Sequence, residues 1–225
     1  MSRRFESCCK PWPVLLDTSL PAEIARVACA TDHSPPEVLI RVVSAGSNTL
    51  HAIRQHIDYI CKGERRRLEN DDGEVMTGKR VAHRLIEQWD LDLEDLLWRQ
   101  PYVMPERRTP PKLVHKLLFS MPAGTSPERL LAAVRGFAQE EFGFAHRYAL
   151  ALHTDEPHPH VHAVIKAMSE HGERLNIRKP TLRAWREAFA RLLRAQGVAA
   201  KATPGGVAQR TRRPKLPGIY RLARH

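Results

Sequence analysis

The chain has 225 residues, 42% of them hydrophobic, which is enough to bury a core and too many for a disordered protein. Lysine and arginine number 36 against 25 acids, a formal charge of +11 that points to a polyanionic partner such as nucleic acid. Cys8, Cys9, Cys29 and Cys61 lack C-x-x-C spacing, so neither a zinc knuckle nor a disulfide framework is indicated, and no stretch approaches the roughly 20 apolar residues of a membrane span.

Residues 1–36 carry Pro11, Pro13, Pro21, Pro35 and Pro36 and read as a loosely ordered arm, with Glu6, Lys10 and Asp17 breaking up any signal-peptide core. A domain is expected over residues 37–200. "EVLIRVVSAG" reads as a strand, and "SNTLHAIRQHIDYICKG" as a helix capped by Ser47 or Asn48 and stopped by Gly63. "RRRLENDDGEVMTG" reads as two short strands about a turn, and a helix follows over "KRVAHRLIEQW" before the proline-marked loop "PYVMPERRTPPK". "LVHKLLFSMP" is a strand, and "SPERLLAAVRGFAQEEFG" a helix with Ser126 as N-cap and Pro127 at its first position. "HRYALALHTD" and "HVHAVIKAM" form an antiparallel hairpin, and "PTLRAWREAFARLLRAQG" is the clearest amphipathic helix. The order predicts an α+β fold, a largely antiparallel central sheet with helices packed on it. Residues 201–225 read as a flexible tail whose lysines and arginines, Arg212 and Arg213 among them, attract phosphate.

The hairpin concentrates the chemistry. Residues two apart on a strand point to the same side, so His160 and His162 share a face, as do His153 and Asp155 on the preceding strand. Three imidazoles and a carboxylate on one face suit cation ligation, the acid either orienting a ring or joining the shell. The alternative is a half-buried strand with incidental polar residues. Val161 and Ile165 on the opposite parity favour the site.

"HTDEPHPHVHAVIK" resembles the third motif of the relaxases, the mobilisation nucleases of conjugative plasmids and integrative elements, in the His-hydrophobe-His endonuclease class. "SMPAGTSPERLLAAVRGFAQEEFG" is similar to their serine-containing second motif and "AIRQHIDYICKGE" to the first, around its tyrosine. The resemblance implies nicking of single-stranded DNA at a transfer origin by a tyrosine nucleophile with a divalent cation, Mg²⁺ or Mn²⁺, leaving a 5′-phosphotyrosine link. It implies a bacterial cytoplasmic setting, with accessory relaxosome and coupling proteins as partners. The nucleophile carries over to Tyr59, and the cation to His153, His160 and His162. Where many relatives have an asparagine, four residues past the last motif histidine, this chain has Lys166, taken here as a DNA contact.

Leu50, Ile53, Ile57 and Ile60 make one apolar stripe on the first helix, and Tyr59 falls roughly opposite its centre. His56, one turn earlier, is within reach of it. Asp155 either hydrogen-bonds an imidazole or assists deprotonation, and the sequence does not choose. The rival readings are a rolling-circle replication initiator, a catalytically inactive DNA-binding accessory protein, and a metal-dependent hydrolase without a covalent intermediate.

Overall fold

The computed structural model describes residues 34–43, 47–62, 66–100 and 110–203. The expected arm and tail therefore lie outside the described residues, apart from 34–36 and 201–203, and with them Arg212 and Arg213.

Among the described residues six strands form one sheet in the order β1-β4-β6-β5-β2-β3, every pairing antiparallel. The strands are β1 (Leu39–Val42), β2 (Leu68–Asn70), β3 (Val75–Met76), β4 (Val114–Ser120), β5 (Tyr148–His153) and β6 (His160–Lys166). The α+β class expected from the order of elements is the one observed. Both hairpin strands are interior, β6 between β4 and β5, and β5 between β6 and β2. Interior strands bury both faces, which explains the near-continuous apolar run of "YALAL".

Among the described residues five helices accompany the sheet: α1 (Leu50–Ile60), α2 (Val81–Gln88), α3 (Leu91–Arg99), α4 (Pro127–Glu141) and α5 (Lys179–Ala195). Strand parity sends side chains to two cores. Leu117, Phe119, Val161, Ala163 and Ile165 pack with Phe137 of α4 and with Trp185 and Phe189 of α5. Ring centroids there lie 5.1 Å apart for Phe119 with Phe137 and with Phe189, the tilted and edge-on contacts that aromatic quadrupoles favour. Val114, Ala149, Ala151 and Val164 face the other way, against Ile53, Ile57 and Ile60 of α1 and Leu85 and Ile86 of α2.

The termini of the elements follow local chemistry, with two departures from expectation. α4 begins as expected, the Ser126 hydroxyl accepting from the Arg129 N–H and Pro127 in the first turn. α1 is capped instead by Thr49, whose hydroxyl accepts from the Ala52 N–H. α3 is an element not expected above. Asp90, in the left-handed region at φ 50°, ends the path of α2 and starts α3. α3 buries only Leu91 and Asp95, while Leu93, Leu96 and Leu97, at the i, i+3, i+4 spacing of one helix face, remain exposed.

Candidate metal centre and tyrosine

The register of the hairpin assembles the site. His153 stands opposite His160, and His162 opposite Ala151, so all three histidines project from the face that α1 covers. Their ring centroids are 4.4 Å (His153 to His162), 5.0 Å (His153 to His160) and 5.3 Å (His160 to His162) apart. One ring nitrogen from each lies within 4.8 Å of the other two, and all three residues are buried.

Backbone partners fix the tautomers. His153 Nε2 meets the Ile60 carbonyl at 2.8 Å and His160 Nδ1 meets the His158 carbonyl at 3.0 Å. A carbonyl only accepts, so these nitrogens carry the protons, leaving His153 Nδ1 and His160 Nε2 with free lone pairs. His162 Nδ1 is buried without a hydrogen-bond partner. Two rings oriented by carbonyls and one orphaned nitrogen make a donor set that fits a cation.

Burial keeps the His153 and His162 imidazoles in their ligating form. Burial pushes His153 down to about 4, against a raising effect of the Ile60 bond. His162 is pushed down to about 3 by burial, with His153, His160 and His56 adding to it. Both are neutral at pH 7, and the neutral ring is the one that binds a metal.

Tyr59 reaches this cluster from α1. The apolar stripe seats Ile53, Ile57 and Ile60 at 0% exposure, while Tyr59 is 67% exposed at the rim. Its ring lies edge-on to His162 at 6.3 Å and stacks on His56 at 6.5 Å. His56 in turn meets His162 edge-on at 5.9 Å, and burial, with Lys116 and His153 nearby, pushes it down to about 4. Lys116, buried on β4, pairs in register with Val164 and so shares the histidine face.

Asp155 sits two residues beyond His153, where Lys62 bonds Oδ2 at 3.2 Å and Arg66 pairs with Oδ1. The Lys62 hydrogen bond comes first among the causes that hold its carboxyl down to about 2, with Arg66 contributing. Lys166 lies on the same face as His160 and His162 but at the far end of β6, where its ammonium pairs with Glu170 at 3.6 Å. Four residues of strand put it roughly 13 Å from His162.

Sequence reasoning missed Lys62, Arg66 and Lys116. The basic run after Tyr59 was visible, but its link to Asp155 spans 93 residues for Lys62. The placement of Lys116 required the register of β4 on β6.

The model of the MobA/VirD2-like relaxase nuclease domain matches residues 70–198, more than half of the chain. The chain belongs to that family. The match includes the whole histidine hairpin and begins after the helix that carries Tyr59. Over 198 residues the chain is 28% identical to the T-DNA border endonuclease VirD2 of Agrobacterium fabrum (strain C58 / ATCC 33970), covering 82% of this chain and 43% of that one. It is also 28% identical over 137 residues to VirD2 of Rhizobium rhizogenes, covering 57% of this chain and 30% of that one. The chain thus spans less than half the length of these relatives. A solved chain from work on the molecular basis of vancomycin resistance transfer in Staphylococcus aureus aligns with 76% of this chain and 100% of its own, at 12% identity and a TM-score of 0.42. No helix among the described residues is long and apolar enough to cross a membrane.

Proposed function

We propose that residues 37–200 form a relaxase nuclease domain that nicks single-stranded DNA at a transfer origin, with Tyr59 as the nucleophile. The observation that carries the reading is an exposed tyrosine ring 6.3 Å from His162, at the edge of three buried imidazoles whose nitrogens converge within 4.8 Å. The family match supports the substrate class, and the net charge of +11 supports a polyanionic partner.

His153, His160 and His162 would hold a divalent cation, through His153 Nδ1, His160 Nε2 and a nitrogen of His162. Bound there, Mg²⁺ or Mn²⁺ would bind the scissile phosphate and offset the charge that develops on it. Tyr59 supplies the oxygen: its phenol bonds to phosphorus, the bond from phosphorus to the 3′ oxygen breaks, and the phenolic proton ends on the released 3′-hydroxyl. The product is a 5′-phosphotyrosine link, which keeps the phosphoester energy and lets the 3′-hydroxyl reverse the reaction without ATP. His56, stacked on Tyr59, and the buried α1 stripe hold the ring at the rim of the cluster. Lys166 and the arginines of the tail, Arg212 and Arg213, contribute phosphate contacts that position the strand.

The experiment is covalent capture. Overlapping labelled single-stranded oligonucleotides from DNA flanking the gene are incubated with protein and Mn²⁺ or Mg²⁺, with and without EDTA, and resolved on a denaturing gel. A metal-dependent band of protein bound to DNA supports the reading, and cleavage without such a band contradicts it.

A further inference from the structure

Both carboxylate oxygens of Asp155 are taken by cations from the end of α1 and the segment after it, Lys62 on Oδ2 at 3.2 Å and Arg66 on Oδ1. A third link, His153 Nε2 to the Ile60 carbonyl at 2.8 Å, joins the same two stretches. Ile60, Lys62 and Arg66 are therefore each bonded to His153 or Asp155, three links that follow closely on Tyr59. Lys62 sits at φ +46°, a left-handed conformation at a helix end that glycine adopts freely and other residues adopt at a steric cost. A lysine holds this position, and its ammonium meets Asp155. The Arg66 side chain is only 15% exposed, so its guanidinium is held in place.

The apolar seat of α1 decides which face of the helix meets the sheet, but hydrophobic contact is not directional and leaves the helix free to slide or tilt. Bonds with a fixed geometry remove that freedom. We infer that Asp155 is a positioning residue: with Lys62 and Arg66 it fixes the last turn of α1 against the histidine hairpin and so sets the distance from Tyr59 to the three imidazoles. The inference rests on the reading of Tyr59 as nucleophile. Among the described residues, the Asp155 carboxylate meets these two cations and its own backbone N–H, and no hydrogen bond or ion pair joins it to Tyr59 or to an imidazole of the cluster.

The test measures single-turnover capture of the most reactive oligonucleotide at saturating protein, for Asp155→Asn, Arg66→Gln, Lys62→Gln and their double variants. A misplacement of about 1 Å lowers rates by about 100-fold, so falls of roughly 10- to 100-fold are expected for Asp155→Asn and Arg66→Gln. A double variant that contains Asp155→Asn should be no slower than Asp155→Asn alone, since that change already breaks both links. Mn²⁺ affinity without DNA, measured by calorimetry, and the protein concentration that half-saturates capture should stay near wild type. The reciprocal variant Asp155→Arg with Arg66→Asp should be faster than either single reversal. Lys62 is 53% exposed, so Lys62→Gln retains the fold and gives the same reading if Arg66→Gln does not fold. Slow capture by Asp155→Asn with wild-type rates for both cation variants would overturn the proposal in favour of direct action by the carboxylate. Wild-type rates throughout, or a parallel loss of Mn²⁺ affinity, would also overturn it. Undiminished capture by Tyr59→Phe would overturn the nucleophile reading and this inference with it.

Discussion

Ile57→Ala tests whether α1 is seated on the histidine face by its apolar stripe. Ile57 is 0% exposed and packs in the core with Val114, Ala149, Ala151 and Val164 of the sheet. The substitution removes three buried carbon groups at about 0.8 kcal/mol each, so the transfer loss is about 2.4 kcal/mol. The cavity left under a helix that cannot collapse onto a strand adds to this, and a total of about 3–4 kcal/mol lies within the range for such truncations. Urea unfolding followed by circular dichroism is the assay: the midpoint should fall while the slope stays constant. Covalent capture under native conditions should weaken too, because the same helix carries Tyr59. A loss below about 1 kcal/mol would refute the packing of α1 against this face, and with it the placement of Tyr59.

Three further outcomes are expected. His160→Ala removes a ligand, so Mn²⁺ affinity measured by calorimetry should fall by more than about 100-fold, beyond the usual effect of losing an outer partner, and capture should partly recover at high Mn²⁺; unchanged affinity would exclude His160 from the site. His56, His115 and His153 are pushed down to about 4 and His162 to about 3, mainly by burial, so the unfolded chain binds more protons than the folded one from about pH 6.5 downward. Stability of the metal-free protein should therefore rise with pH through that window and be lost as pH falls through it, and a melting temperature at pH 5 equal to or above that at pH 7 would contradict the buried neutral cluster. Arg212→Ala with Arg213→Ala should weaken oligonucleotide binding most at low salt and lessen its salt dependence, leaving single-turnover capture at saturation near wild type; unchanged binding at low salt would remove the tail from the interface.

Much of the architecture was readable because period and face coincide. On β6, Val161, Ala163 and Ile165 enter one core while His160 and His162 leave it on the other side, and this alternation is written in "HVHAVI". The α1 stripe was equally plain, with Ile53, Ile57 and Ile60 buried and Tyr59 exposed. α3 was missed although Leu93, Leu96 and Leu97 keep helical spacing, because it is only 9 residues long, follows α2 at once and leaves that face exposed rather than in a core. The pairing of β1 with β4 and the insertion of β6 between β4 and β5 come from long-range register, which composition does not encode. For the same reason the position of Lys116 on the histidine face and the grip of Lys62 and Arg66 on Asp155 required the fold.

The proposed nicking reaction depends on the oxygen of Tyr59. Tyr59→Phe keeps a ring that is 67% exposed and removes only its hydroxyl, so folding stability should change by no more than about 0.5 kcal/mol, and DNA and Mn²⁺ affinities should hold. Covalent capture of the reactive oligonucleotide by this variant, read on a denaturing gel beside wild type, is the most direct measurement. With Tyr59 as the nucleophile, the band of protein bound to DNA vanishes with the hydroxyl, whereas a band of wild-type intensity would show that another residue attacks the phosphate.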